Sequence, residues 1–586
     1  MDEHFDAVIV GSGFGGAVMG HRLREAGLRV CLLERGKRYP PNSFARAPRD
    51  MRRNFWDPSE GLYGLFNVWS FKGTGALVSS GLGGGSLIYA NVLIRKDEKW
   101  FVKEDLAKGG FEYWPVTRAD LEPHYARVER MMNVQKYPLH VEPYAGTGKV
   151  IALREAAQKV DADWKLLNLA VSFRSKHVED YDQADDVGNP PLIGEPIEEE
   201  HRNIHNMTRY TCRLCGECDI GCNYGSKNTL DYTYISAMHL LRGEVRTLCE
   251  VKNIEPRTDT GRGYRVKYIV HRPDLYADRK LNTNDEKLCP PVSITCDRLI
   301  LSAGTFGTPY LLLKNAHAFP GLSSQLGSRY STNGDLLSFL LNARECRDGK
   351  TVPRNIRPEF GPVIASAVRY GDSLDGASPG QRGFYVEDGG NPYLLSWASE
   401  LSDIPSYLWR SVRLLLINLK FRLGLSHQAD MGAQFAALLG NCAVSQSSMP
   451  VLTMGRDYPD GRLFLRGKYL DCDWSIKRSQ AYYARVRTEV RKLAEAIDAE
   501  YHDNPSFRWN FHQVLTAHPL GGCPMATSKA EGVVDSYGRV FDCPGLYVAD
   551  GSVLPGPVGP NPSLTIAALS DRFADKIIDE HKSSAT

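Results

Sequence analysis

The 586-residue chain has almost no net charge: 71 Lys and Arg against 69 Asp and Glu leave +2, without the basic surplus that a polyanionic partner requires. No nucleic-acid partner is expected. A disulfide framework is also missing, because 13 cysteines are an odd number spread thinly over a long chain, which reads as reduced thiols. Long apolar runs are absent as well. The apolar-basic stretch 404–424 is broken by Arg410, Arg413, Lys420 and Arg422 well short of the ~20 residues that span a bilayer. It reads as an interfacial helix or a cover over the substrate's way in, with a buried core helix as the alternative. Only five residues precede the first strand, with no basic start and no apolar export region. The expected location is the cytoplasm, with peripheral contact at the inner membrane.

What is present begins at once. Asp6-Ala-Val-Ile-Val10 is short, apolar and rich in β-branched residues, as a buried parallel strand should be, and Gly11-Ser-Gly13-Phe-Gly-Gly16 follows directly. Gly11 permits a tight turn, Gly13 lets the backbone approach a diphosphate, and Gly16 lets the helix pack on the strand. A second strand, Arg29 to Leu33, delivers Glu34 where a carboxylate can accept hydrogen bonds from ribose hydroxyls. Further on, Gly81, Gly83, Gly84 and Gly85 followed by Ser86 make a backbone nearly bare of Cβ atoms, suited to lying against a flat polar ring or a diphosphate.

These motifs, in this order, resemble the glucose-methanol-choline (GMC) oxidoreductases, and within them the bacterial cholesterol-oxidase-like branch. The resemblance runs from about residue 5 to 580. It departs from the family at Tyr89, where an Asn commonly follows the glycine-serine run; here Asn91 comes two positions later. The resemblance implies that the residue matching Val251 meets an adenine through its backbone, and that the strand Phe384-Tyr-Val-Glu387 carries an active-site acid, Glu387. An ordinary solvent-facing glutamate is the alternative for Glu387.

Toward the C-terminus, His518 stands ahead of Pro519 and Gly521-Gly522 in a rigid turn, which suits a positioned base. The strand ending at Ala549 leads into the turn Asp550-Gly551. Asn561-Pro562 then opens a helix whose start would bring Asn561 beside His518 and face a flavin. A nicotinamide enzyme would need one fingerprint and a compact domain. Here both chain ends and the segment 298–313 converge on a longer cofactor, so FAD is expected.

The expected fold is α/β: a doubly wound, Rossmann-like FAD lobe built from both chain ends, with an interleaved substrate lobe on an antiparallel sheet. The segments are 1–95, 228–325 and 506–586 for the FAD lobe, 96–210 for a helical layer and polar insertion, 211–227 for a cysteine-rich segment, and 326–505 for the substrate lobe. Within the insertion, 174–206 has a disorder-like composition. The cysteine-rich segment, Cys212-Arg-Leu-Cys215-Gly-Glu-Cys218-Asp-Ile-Gly-Cys222, matches the C-x2-C-x2-C-x3-C spacing of bacterial ferredoxins, with Asn223 where a proline usually follows. An iron-sulfur cluster, a zinc ion, and plain thiols or a disulfide are the three readings.

The chemistry expected is oxidation of a secondary alcohol, sterol-like or otherwise bulky and apolar. The hydroxyl proton goes to His518, the hydride to flavin N5, Asn561 holds the oxygen and Glu387 is a second acid or base. Oxygen, or a quinone or cytochrome, would take the electrons. The alternatives are a quinone- or cytochrome-linked dehydrogenase using an iron-sulfur cluster, and a non-redox FAD lyase of the same fold.

Overall fold

The strand Glu3–Val10 is the member against which the first lobe is laid. In the computed structural model, which describes residues 3–181, 188–258, 261–392, 412, 416, 443–508 and 513–585, it pairs in parallel with Val30–Leu33 on one side and Pro291–Leu301 on the other. Glu244–Arg246 extends the sheet beyond Val30–Leu33, and Leu546–Val548 adds a parallel strand beside Leu299 to Leu301. Strands buried on both faces need near-continuous apolar sequence, and Ala7 to Val10 and Val30 to Leu33 supply it. Helices Phe14–Glu25 and Ser563–Ala585 pack on each other beside this sheet, so the two ends of the chain build one lobe.

The second lobe is a six-stranded antiparallel sheet in the order Asp163–Leu166, Ser366–Tyr370, Phe384–Asp388, Met449–Gly455, Leu336–Leu341, Glu500–Asp503. The helix Gln480–Ala496 buries Tyr482, Tyr483, Val486, Val490 and Leu493 in one core with this sheet. The expected α/β arrangement of a doubly wound lobe with an interleaved antiparallel lobe is therefore present.

Four local expectations are corrected. Residues 291–301 form one strand rather than two, because the polar Asp297-Arg298 pair sits where its neighbour changes from Tyr264–Val270 to Leu546–Val548. The strand expected over 245–251 is split into Glu244–Arg246 and Cys249–Pro256, which join different parts of the sheet. Of the helix expected over 228–242, only Tyr234–Leu240 forms. The preceding residues are drawn into turns, Leu230 N–H donating to Ser86 Oγ at 3.0 Å and His205 Nε2 meeting Asp231 at 2.6 Å. The described part of 174–206 is irregular but fastened, with Leu192, Glu198 and Ile197 N–H groups donating to Phe173, Ser175 and Arg209 carbonyls. Apart from positions 412 and 416, the apolar-basic stretch 404–424 lies outside the described residues. No helix among the described residues is long and apolar enough to cross a membrane.

Candidate active site

The first glycine turn is shaped by close contacts on one side and open space on the other. A Cβ on Gly11 would meet Ser302 O at 2.2 Å, at φ +102, and one on Gly16 would meet Gly11 O at 2.0 Å. A Cβ on Gly13 would meet nothing within 4 Å. Gly11 and Gly16 thus serve the fold, whereas Gly13 borders the open side where a diphosphate would approach the helix N-terminus. Glu34 is buried at the end of its strand and accepts from Ser12 Oγ at 2.6 Å, Ser12 N–H at 3.1 Å and Gly36 N–H at 2.8 Å.

Ser12, which the motif reading treats as a filler position, also accepts the N–H of Gly83 at 3.0 Å. It couples the two glycine loops. Gly84 lies so close that a Cβ there would come within 2.6 Å of Gly13 Cα, while Gly85 faces open space. Gly81 packs on Gly36, whose Cβ would stand 2.3 Å from Gly81 N. Ser86 is committed to the loop itself, donating to Gly83 O at 2.7 Å. Tyr89 packs edge-on to Phe14 and donates to Asn228 O at 3.2 Å. Asn91 differs: it is fully buried at φ +70, and neither its Nδ2 nor its Oδ1 has a protein partner. A buried amide with both ends unsatisfied is costly unless a ligand completes it.

His518 is held at Nδ1 by Asp335, whose oxygens lie at 2.9 and 3.0 Å. Asp335 is buried and also accepts from Thr516 Oγ at 2.8 Å and Ala517 N–H at 2.9 Å. A carboxylate at Nδ1 fixes the proton there, so Nε2 of the neutral ring is the basic nitrogen. Asp335 is not marked by any sequence motif, yet its loop organises the site. Two residues earlier, Asn333 Oδ1 accepts from Val558 and Gly559 N–H at 2.9 and 3.0 Å, and its Nδ2 donates to Pro560 O at 3.1 Å. The loop 331–335 therefore fixes both the His518 turn and the segment that delivers Asn561.

Glu387 does lie on the strand Phe384–Asp388, but the solvent-facing alternative is overturned: the residue is fully buried. Neither carboxyl oxygen completes a hydrogen bond, and Asn561 Oδ1 is buried and unpartnered as well. Burial pushes the Glu387 carboxyl well above the usual range; the Asn561 side chain beside it opposes that shift, and the charges of Asp388 and Asp335 add to it. Glu387, Asn561 and the Asp335-His518 pair therefore share one neighbourhood.

An acid whose folded pKa is raised gives stability that is present below its unfolded pKa and lost as pH rises toward the folded value. Glutamine does not titrate, so the melting temperature of Glu387→Gln relative to wild type should climb as pH rises above the usual carboxylate range. A difference that stays flat as pH rises would mean the carboxyl is not held neutral.

The remaining expected residues fall as follows. Val251 is buried where the pairing of Cys249–Pro256 with Tyr264–Val270 slips register. The Asp550 carboxylate is spent on protein donors: Gly304 N–H at 2.9 Å, Thr308 Oγ at 2.6 Å, and Ser552 N–H and Oγ at 2.9 and 2.5 Å. It ties the helix Gly304–Lys314 to the turn at Gly551. Cys212, Cys215, Cys218 and Cys222 line one cavity away from His518.

The GMC oxidoreductase family model matches residues 459–570, which include His518 and Asn561, and an NAD(P)-binding Rossmann-like domain matches residues 9–47, which include the first glycine turn. The chain is similar to the cholesterol oxidase of Mycobacterium tuberculosis (strain ATCC 25618 / H37Rv), with 28% identity over 98% of this chain and 91% of that protein. It is 27% identical to the cholesterol oxidase of Acinetobacter baumannii, over 98% of this chain and 95% of that one. Among solved structures, pyridoxine 4-oxidase from Mesorbium loti has the same fold, with a TM-score of 0.54 at 14% identity over 97% of this chain and 98% of the other.

Proposed function

Since the chain belongs to the GMC oxidoreductases, FAD-binding enzymes that act on alcohol groups, we propose that it oxidises a bulky apolar secondary alcohol of sterol type to the ketone. The observation that carries this reading is the meeting of a His518-Asp335 pair with the buried Glu387 carboxyl and the Asn561 side chain beside it, whose Oδ1 has no protein partner. The residues fit FAD on two counts. The open sides of Gly13 and Gly85 leave room for a backbone-hugging cofactor, and the unsatisfied amide of Asn91 has donors and acceptors for a polar ring. Gly13, Gly85 and Asn91 would face it, while Gly11, Gly16, Ser86 and Asp550 hold the loops that shape its seat. When bound, FAD supplies a two-electron acceptor for the alcohol carbon.

The chain's own residues do the rest. His518 Nε2 takes the hydroxyl proton, and Asp335 holds the ring in the tautomer that can do so and stabilises the imidazolium that forms. Asn561 holds the substrate oxygen. Burial holds the Glu387 carboxyl well above its ordinary range, which favours the neutral form as a hydrogen-bond donor toward the substrate oxygen. The sterol preference is supported by the two cholesterol oxidases to which the chain is similar along almost its whole length.

A panel of cholesterol, a long-chain primary alcohol and a sugar tests the substrate class: the sterol should give the highest kcat/KM, and a higher value for either other alcohol would displace it. Asp335→Asn tests the pair. It should retain FAD and change KM little while lowering kcat by on the order of 10-fold to 10²-fold, part of what a positioned base supplies. An unchanged kcat would make Asp335 a fold residue only.

A further inference from the structure

We propose that Trp100 is a positioning residue for the alcohol chemistry: its indole is the spacer that sets how closely the strand carrying Glu387 approaches the segment carrying Asn561. The inference rests on the alcohol-oxidation reading for what Glu387 and Asn561 do; the placement of the spacer rests on geometry alone.

The two groups come from different lobes. Glu387 lies on Phe384–Asp388 in the six-stranded antiparallel sheet, and Asn561 stands just ahead of the helix Ser563–Ala585 in the first lobe. Their separation is therefore set by what packs between the two segments.

Trp100 packs there. Its ring is fully buried, and each segment meets it with a glycine. A Cβ on Gly383, the residue before the Glu387 strand, would stand 2.2 Å from Trp100 Cζ2, and a Cβ on Gly559, two residues before Asn561, would stand 2.4 Å from Trp100 Cε3. Both backbones rest directly on the indole, with no side chain of their own in between that could yield. Side chains alternate along a strand, so Gly383, Tyr385 and Glu387 share one face. Tyr385 packs edge-on to the same indole, with ring centroids 6.0 Å apart. The indole thus covers the first two positions of the face on which Glu387 is the third.

The ring is anchored at its edge and on its face. Trp100 Nε1 donates to Asp375 Oδ2 at 2.9 Å, and the Arg369 guanidinium, 5.1 Å from the ring centroid, donates to the same carboxylate oxygen at 2.6 Å. The chain neighbours of Trp100 hold the same two segments. Lys96 Nζ donates to Pro557 O and Val558 O, both at 2.9 Å. Asp97 accepts from the Tyr385 hydroxyl at 2.8 Å and from Arg369 Nε at 3.0 Å. One short stretch, 96–100, therefore grips the Asn561 segment through Lys96, the Glu387 strand through Asp97, and both through Trp100.

Protein interiors are close-packed, so a change in the size of this ring is passed on to the backbones that lie against it. Misplacing a reacting group by about 1 Å can cost on the order of 10²-fold in rate.

The test is anaerobic reduction of the flavin by the best alcohol in FAD-loaded variants, together with their crystal structures. Trp100→Phe leaves a gap and should lower kcat roughly 10-fold to 10²-fold with KM and FAD content nearly unchanged. Gly383→Ala wedges the strand off the ring and should do the same. The double variant Trp100→Phe/Gly383→Ala should recover most of the rate, because the methyl group takes the space that the smaller ring gives up. The Asn561→Ala background separates positioning from general support. Once that amide is gone the spacing has nothing to align, so adding Trp100→Phe should slow reduction no further. A tryptophan that only supports the fold would add its cost in full on that background, and this result, or an unchanged kcat in Trp100→Phe, would overturn the proposal. In the crystals, the distance between the Glu387 carboxyl and the Asn561 amide should change in each single variant and return toward the wild-type value in the double; an unchanged distance would also overturn it. Should Trp100→Phe or Gly383→Ala fail to fold, Lys96→Met, which removes only the amine that holds Pro557 and Val558, takes its place in the same cycle with the same expectations. A changed distance in a protein whose flavin no alcohol bleaches would support the spacer and defeat the alcohol reading instead.

Discussion

His518→Ala should keep its yellow flavin yet reduce it with the best alcohol on the order of 10²-fold or more slowly, as loss of a positioned general base requires. The expectation follows from the ring's setting. Nδ1 is tied to buried Asp335, which leaves Nε2 as the nitrogen proposed to take the hydroxyl proton. Rapid-mixing absorbance of the flavin under anaerobic conditions separates the two quantities, since FAD content is read before mixing and the reduction rate after it. Reduction at the wild-type rate would make His518 a turn residue. Loss of the flavin itself would put its role in cofactor binding.

The second large effect distinguishes two glycines three positions apart. Gly13→Ala should fold with a near-normal melting temperature as apoprotein but contain little FAD. The added methyl meets no protein atom within 4 Å and intrudes only on the side where the diphosphate approaches. Gly16→Ala should fail earlier. Its methyl would stand 2.0 Å from Gly11 O, so strand and helix must separate, an overpacking cost of about 1–3 kcal/mol or more. Equal FAD content in Gly13→Ala and wild type would remove the diphosphate assignment, and a stable, flavin-loaded Gly16→Ala would show that the turn can relax.

The strand-turn-helix at the N-terminus was legible because backbone requirements are written in a few adjacent residues: β-branched strand, glycines, acid. His518 and Asn561 were legible for a similar reason, each standing beside Pro or Gly punctuation that stops the chain from being helix or strand. Asp335 was not. Its importance arises from contacts 181 to 183 residues away in the chain, with Thr516, Ala517 and His518, and the loop Ser331-Thr-Asn-Gly-Asp335 looks like any polar turn. Ser12 was hidden differently, as the variable position of its own motif, although its hydroxyl couples Glu34 to the second glycine loop. The turns at 228–233 escaped because Leu230 and Asp231 answer to Ser86 and His205, distant partners that override local helix preference.

The central claim, that the His518 site removes a proton and a hydride from an alcohol, is tested most directly by anaerobic titration of the flavin-loaded protein with cholesterol while its absorption spectrum is followed. The account predicts loss of the oxidised flavin band with formation of the corresponding ketone, one per flavin reduced, and recovery of the band when an acceptor is admitted. A band that dithionite bleaches but that neither cholesterol nor other alcohols change would contradict it and leave the flavin with a structural role, as in a lyase of the same fold.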